Sequence, residues 1–447
     1  MSDLRSEWNV KELPDLEERM SNLGYYYDME RSKYLLPEDR RWIPITETAL
    51  RRHLRESGFC PKRREGERVS EVDAALNYVQ LKKYVAYAGP LAGYDSGEYE
   101  FEGERVLVTD GPSLIDPEDR PWKTVQSIVE QLLGEQTVYF YGWLKIAIES
   151  LRAKLPRCGQ ALVIAGMKDC GKSFVQTQII TPLLGGRDAL PYQYMTGATA
   201  FNKDLFRGEH QRVEDEFPST DLRSRRKFGA AIKGIAANEI QRCHGKHRDG
   251  IVLAPFWRLS ITLNDEPENL MVLPPVDESL ADKLILLRAD QVVMPMSANT
   301  NEERKALRDA IAEELPGFVH FLMNWVIPED KRSPRYGITH WHHPDLLEAI
   351  DDLAPETRLL ALIDRTLFTG KDPRPWKDKA LVLEQKLTDS DSGVCHEARQ
   401  LLKFNTALGT YLGRLAKRAD SRVKKEPRAA SGNVWVICPP RGDVFDV

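Results

Sequence analysis

The run GMKDCGKS, Gly166 to Ser173, has the spacing glycine, four residues, glycine, lysine, serine. That spacing suits a polyphosphate. Glycines let the backbone approach the oxygens, and loop N–H groups point at them. Lys172 then reaches the β- and γ-phosphates, and the Ser173 hydroxyl ligates Mg²⁺. The nucleotide-binding set read from the loop is Gly166, Lys168, Asp169, Cys170, Gly171, Lys172 and Ser173, with ATP and Mg²⁺ as cofactors. Hydrolysis also needs carboxylates at a neighbouring strand end. HQRVEDEF supplies Glu214, Asp215 and Glu216. Asp215 is assigned to the Mg²⁺ shell and Glu216 to the attacking water. An acidic surface loop is the plainer alternative, because the residues before these acids are only weakly apolar. FWRLSITLND ends in Asn264, whose carboxamide at a strand tip could touch the γ-phosphate or the water. Asparagine also ends strands simply as a turn former.

Such residues need elements to hold them. ALVIA before the loop is a short apolar run and reads as a buried strand. SFVQTQIITPLL after it is compatible with a helix, closed by Pro182 and Gly185-Gly186. Strand, glycine loop, helix is the order the chemistry requires. Strands and helices alternate from there to about Asp290, so the fold class is α/β. Between the acids and Asn264 lies NEIQRCHGKHRDGIVLAP, which reads as a hairpin turning at RDG. Lys246, His247 and Arg248 sit at its tip, and His244 shares a face with Lys246. The hairpin is either a phosphate-backbone contact or a solvated loop.

The chain has 447 residues, enough for two to four domains. Its formal net charge is −5, so any nucleic-acid binding must come from local basic patches. Six cysteines occur without a CxxC pair, which fits neither a disulfide framework nor a zinc ribbon and agrees with a reducing cytoplasm. No signal peptide or membrane span is expected.

Residues 1–115 form a mixed α+β region. YYYDMERSKYLL reads as two short strands around a turn. ITETALRRHLRESGF reads as a helix capped by Thr46 and stopped by Gly58, with Arg51, Arg52 and Arg55 outward. VLVTDGPSLIDPEDRPW reads as a linker. Residues 116–330 hold the ATPase motifs. In the helical stretch after Asp290, ERKALRDAIAEEL and GFVHFLMNWV are the clearest helices.

Residues 331–447 end in a basic segment. NTALGTYLGRLAKRADSRVKKEPRAASGNVWVICPP reads as helix, strand, turn and strand, the back half of a winged helix. From Lys403 to Arg428 eight basic residues, among them Lys417, Arg418, Lys424 and Lys425, stand against Asp420 and Glu426. A duplex-binding module and a solvated basic end both fit. HWHH, with His340, His342 and His343, lacks a further ligand at metal spacing and reads as the approach to a helix with Pro344 in its first turn.

GMKDCGKS, VEDE, HGKHRDG and LSITLND come one after another within about a hundred residues, and in that order they resemble the superfamily 3 helicases, AAA+ ATPases of viruses, phages and mobile elements. The stretch ATAFNKDLFRGEHQ also looks like that family's lead-in to its acid pair. The resemblance implies a P-loop core in which Lys172, Ser173, Asp215, Glu216 and Asn264 carry nucleotide chemistry and Lys246 and His247 face a central channel. It implies a hexameric ring that moves along single-stranded DNA. The family commonly places an arginine after the asparagine to reach a neighbour's nucleotide. LPPVDESLADKLILLRAD has Lys283 there, with Arg288 and Arg258 as alternatives. No paired-acid polymerase site is visible in residues 1–110, so the expectation is a motor portion standing alone. A nucleotide-switched binding protein for an origin or for phage defence, assembling with ATP but not unwinding, is the second reading.

Overall fold

Five parallel strands organise the part of the chain that holds the motifs. In the computed structural model, residues 16–38, 41–155, 157–214, 222–245, 250–352, 354–369, 373–403, 405–417, 421–426 and 433–440 are described. They fall into two compact units. The first runs to Asn264 and resumes over Ser279–Trp341, and the second takes Asp265–Glu278 and the chain from His342 onward.

The central sheet of the first unit comprises β1 (Ala161–Gly166), β2 (Asp188–Ala189), β3 (His210–Glu214), β4 (Arg258–Asn264) and β5 (Leu284–Ala289). Their spatial order is β5-β1-β4-β3-β2. All four pairings are parallel. Every C-terminal strand end therefore lies on one edge of the sheet, where parallel α/β sheets bind ligands. Every residue of β1 is buried, which explains its unbroken apolar sequence. In β4, Leu259, Ile261 and Leu263 alternate with Ser260, Thr262 and Asn264. The polar set shares one face because side chains alternate along a strand.

Helices cover the sheet. Lys123–Leu133 and Thr137–Arg152 share an apolar core with β1 and β5. Leu222–Ala237 packs against β4. The two helices expected from ERKALRDAIAEEL and GFVHFLMNWV are one, Asn301–Asn324, opened by a capping box of Thr300 and Glu303 and continuous through Pro316. The chain before Trp122 explains this continuity. Glu118 N–H donates to the Pro316 carbonyl at 3.1 Å, and a Cβ on Gly317 would sit 2.4 Å from the Arg120 carbonyl oxygen.

The expected linker also differs. Its VLV belongs to the strand Glu104–Val108. The residues after that strand form a strap with no helix or strand, held by Ser113 N–H to Gly185 O, 3.0 Å, and by Arg120 to Glu313 O, 2.9 Å. Turn-rich composition gave the right local conformation but said nothing of these distant bonds.

The N-terminal elements agree with the sequence reading. Tyr26–Asp28 and Lys33–Glu38 pair antiparallel. Thr46 caps Glu47–Glu56, Leu50 and Leu54 are buried, and Gly58 comes after the helix at φ 86°. Arg51 is held by Glu47 and Asp73, at 2.8 and 2.7 Å, which leaves Arg52 and Arg55 as the exposed arginines of that helix. A carboxylate ties this region to the sheet. Glu209 accepts from Gly93 N–H at 2.8 Å and from Arg187.

The second unit has its own apolar core around Leu359, Leu383, Leu412 and Trp435. Its helices include Pro344–Asp352, Pro355–Leu367, Ala380–Thr388 and Ala407–Leu415. Its sheet is antiparallel, with Val434–Ile437 between Trp376–Lys379 and Val423–Lys425. Among the described residues no helix is long and apolar enough to cross a membrane.

Candidate functional site

The glycine loop begins where β1 ends. Gly166 lies so close to β5 that a Cβ would stand 2.3 Å from the Ala289 carbonyl oxygen. Met167, Lys168 and Asp169 are exposed and Cys170 is buried. Asp169 adopts φ 59° and Gly171 φ 109°, so the backbone turns through left-handed geometry twice within three residues. The chain after β5 lies against the loop. Val292 N–H donates to Cys170 O at 3.4 Å, and the Gln291 amide reaches Asp169 O at 3.5 Å.

Lys172 opens the next helix and is only 3% exposed. Its ammonium donates to Gly166 O at 2.9 Å, to Met167 O at 2.7 Å and to Asn264 Oδ1 at 3.1 Å. Three donors on one cation thus meet three oxygens, two from the loop and one from the tip of β4. Gly166 and Asn264 are direct partners in the β1–β4 register, and Gly166 is opposite Ala289 of β5. Ser173, next to Lys172, is partly buried.

β3 reaches the same edge, with Glu214 opposite Thr262. Its sequence, HQRVE, is weakly apolar, yet it forms a buried strand in which the His210 ring and the Gln211 amide nitrogen have partners, while Gln211 Oε1 has none among the described residues. Gln211 donates to Leu205 O and Gly208 O, each at 2.8 Å. Glu214 and Asp188 both bind Arg212. Asp215 and Glu216 are next in sequence and lie outside the described residues.

Behind the lysine is a group of polar side chains that the sequence reading missed. Gln176, His210, Ser260 and Thr262 are all buried between the loop helix, β3 and β4. Burial, with a smaller contribution from the charge of Arg212, depresses the His210 imidazole to about 3, so the ring is neutral. The one local signal was the polar alternation Ser260, Thr262, Asn264 along an otherwise apolar strand.

No protein-family model and no curated protein matches this sequence. Solved structures do. The NrS-1 C-terminal region (305–718) superposes with a TM-score of 0.54 at 12% identity, over 93% of this chain and 96% of that one. A second structure of that region gives a TM-score of 0.52 at 12% identity, over 95% and 98%. At this identity the likeness is one of fold, and it extends over nearly the whole of both chains. A JCV helicase structure, 15% identical, aligns over 52% of this chain and 60% of its own at a TM-score of 0.28, too low to carry weight.

The three candidates for a trans-acting cation occupy different places. Lys283 precedes β5, and its carbonyl accepts from Ala161 N–H at 2.9 Å, so it lies at the sheet edge opposite the loop. Its ammonium meets Asp282 at 2.6 Å and Ser279 O at 3.0 Å, and Asp282 also binds Arg335 at 2.7 Å. Arg258 is fully buried, over the Phe256 ring and against Arg157 O and Trp257 O; desolvation depresses it to about 10. Arg288 is partly buried on β5, opposite Ala165 and near the loop edge.

Gln241–Cys243 and Ile251–Leu253 form the expected hairpin. Lys246, His247 and Arg248 lie outside the described residues. Its base is held by the buried Asn202, which the sequence reading did not single out. Asn202 donates to Arg242 O at 2.9 Å, and its Oδ1 accepts from His244 N–H at 2.7 Å. In the second unit Lys417, Lys424 and Lys425 are exposed, Lys425 standing 5.8 Å from the Trp435 ring centroid. Arg418 lies outside the described residues. Among the described residues no three His, Cys, Asp or Glu side chains gather as metal ligands.

Proposed function

We propose that the chain is an ATP-driven DNA helicase or translocase of superfamily 3 type, built on an AAA+ core and serving replication of a phage, plasmid or mobile element. The observation that carries the reading is the 3.1 Å contact of Lys172 with Asn264. It joins a glycine loop to the tip of the strand that runs between β1 and β3. The likeness in fold to the NrS-1 C-terminal region supports the architecture.

In this reading the β- and γ-phosphates of ATP take over the Lys172 ammonium from the loop carbonyls. The left-handed backbone at Asp169 and Gly171 fits such a cradle. Gly166, Lys168, Cys170 and Gly171 supply loop contacts. Ser173 and Asp215 would hold Mg²⁺, which neutralises charge on the phosphates when bound. Glu216 orients the attacking water, and Asn264 reports the γ-phosphate to β4. Lys283 of a neighbouring copy would add positive charge, which requires a homo-oligomer, here a hexameric ring. Lys246, His247 and Arg248 contact single-stranded DNA in the channel. The helix Ala407–Leu415 with its three-stranded sheet supports a winged-helix-like module that places Lys417, Arg418, Lys424 and Lys425 on duplex DNA.

Mg²⁺-dependent ATP turnover stimulated by single-stranded DNA is expected, and Lys172→Ala abolishes it. Wild-type turnover no greater than that of the variant would defeat the enzyme reading. One observation favours the second reading, a nucleotide-switched DNA-binding assembly that does not unwind. Lys283 is already ion-paired within its own chain. ATP-dependent oligomerisation without strand displacement on forks of either polarity would select it.

A further inference from the structure

The helix after the glycine loop is not regular. Lys172–Val175 is α-helical, Gln176–Ile180 is a π turn, and Thr181–Leu183 is α-helical again. A π turn inside a helix costs regular hydrogen bonds and often marks a functional constraint. Here it gives two positions of the helix, Gln176 and Thr181, contact with the same polar group on the sheet.

The hydrogen atoms of that group run in one direction. The Thr181 hydroxyl donates to the Gln176 carbonyl at 3.1 Å and therefore accepts from His210 Nδ1, 2.7 Å away. With its proton on Nδ1, His210 must accept at Nε2, where the Ser260 hydroxyl stands at 2.6 Å. Ser260 Oγ, having spent its proton there, accepts from Gln176 Nε2 at 2.6 Å. The second amide hydrogen of Gln176 goes to Val213 O at 3.2 Å, and Gln176 Oε1 accepts from Thr262 at 3.3 Å. The chain starts on the backbone of Gln176 and ends on its side chain, and each donor along it finds an acceptor. Only the neutral imidazole with its proton on Nδ1 closes it, so the tautomer is set by the network.

A closed polar ring in a buried sheet is specific in a way that apolar packing is not. Sliding the helix or either strand by one residue would leave several buried donors unpaired. We propose that this ring is a positioning device. Gln176 holds the loop helix, the strand leading to Asp215 and the strand ending in Asn264 in one register, and so sets Lys172 against the strand tips. The inference rests on the nucleotide reading of the loop and adds that its geometry is set from behind, by a residue that touches no nucleotide.

Three variants of the full chain test it. Gln176→Met keeps the volume and removes the amide. Thr181→Val removes the hydroxyl at nearly constant shape, and Thr181→Ser retains it. Loss of alignment by a fraction of an ångström to an ångström predicts kcat lower by roughly 100-fold in Gln176→Met. It predicts a fall of about tenfold in Thr181→Val, with Kd for ATP within about threefold in both and Thr181→Ser near wild type. Selective ¹⁵N labelling of histidine rings should show one ring, absent in His210→Gln, that stays neutral with its proton on Nδ1 at pH 5 in the wild type and loses that signature in Gln176→Met. Normal turnover in Thr181→Val, or a loss in Thr181→Ser as large as in Thr181→Val, overturns the ring's role while leaving the nucleotide reading intact. Equal losses in kcat and in ATP affinity would make the ring merely structural and overturn it too. Failure of the wild type to bind ATP overturns the nucleotide reading, and the ring's assignment with it.

Discussion

Asn264 is the strand-tip residue whose removal should separate binding from turnover. In Asn264→Ala the Lys172 ammonium loses one of three oxygen acceptors and keeps Gly166 O and Met167 O at 2.9 and 2.7 Å. A hydrogen bond from a charged donor contributes about 1.5–3 kcal/mol when buried. Asn264 is only partly buried, so the lower end applies, about 1.5 kcal/mol. If that contact is remade to the γ-phosphate or the water during reaction, kcat falls by roughly tenfold. Kd for ATP changes by less than about threefold, because the loop that binds the phosphates is intact. Asn264→Asp gives the opposite split. It restores an acceptor for the lysine but adds a negative charge beside a polyphosphate, so ATP affinity falls further than in the alanine variant. Stopped-flow binding of a fluorescent ATP analogue and steady-state phosphate release measure the two quantities separately. A kcat within twofold of wild type in Asn264→Ala, or undiminished ATP affinity in Asn264→Asp, would refute the reasoning.

Three further outcomes are expected. Gly166→Ala forces a Cβ to 2.3 Å from a backbone oxygen that cannot swing away, so urea unfolding should show a loss of about 1–3 kcal/mol together with lost ATP binding. His210 is held near 3 when folded against an unfolded value near 6.5, so the unfolded chain binds the extra proton. Its contribution is complete above the unfolded value and is lost as pH falls below it, about 2 kcal/mol by pH 5. Urea titrations at pH 7 and pH 5 should show that acid loss shrinking in His210→Gln. Mixing inactive Lys172→Ala with inactive Lys283→Ala in equal amounts should restore about a quarter of full ATPase activity, the random share of interfaces that pair an intact loop with an intact neighbouring lysine; no recovery would remove Lys283 from the mechanism.

What could be read in the sequence was local. The apolar run before the loop, the glycines at its turns, the alternation of β4 and the cap at Thr46 each depend on neighbours within a few residues, and each stands as read. What escaped was held together by distant partners. Gln176 looks like an ordinary helix residue until Ser260, 84 positions later, meets its amide. The stretch before the acids reads as only weakly apolar, whereas the pairing of its His210 with Thr181 and Ser260 helps the strand be polar and buried. Asn202 gave no signal because its role is to hold the backbone of another element, the hairpin base. ERKALRDAIAEEL and GFVHFLMNWV read as separate helices, whereas they form one that runs through Pro316, with the strap at Glu118 and Arg120 against it.

On the proposed function, the two edges of the sheet separate the candidate residues in a way that bears on assembly. Gly166, Lys172 and Asn264 meet at the C-terminal edge, and β3 ends there too. Lys283 stands before the first residue of β5, at the other end of a six-residue strand. At about 3.3 Å per residue the strand alone spans roughly 20 Å, several times the reach of a lysine side chain. Lys283 therefore has no path to the loop of its own subunit, and any part it plays in hydrolysis must be played on another copy. Its salt bridge to Asp282 would then have to open when that copy docks. If the proposed role of Lys283 holds, ATP turnover would be coupled to assembly, because a lone subunit keeps this lysine engaged with its own aspartate. Arg288 makes the contrast clear. It lies near the loop edge, opposite Ala165. An arginine acting from there needs no neighbour to come near the phosphates, so dependence of turnover on protein concentration distinguishes the two cations before any residue is changed.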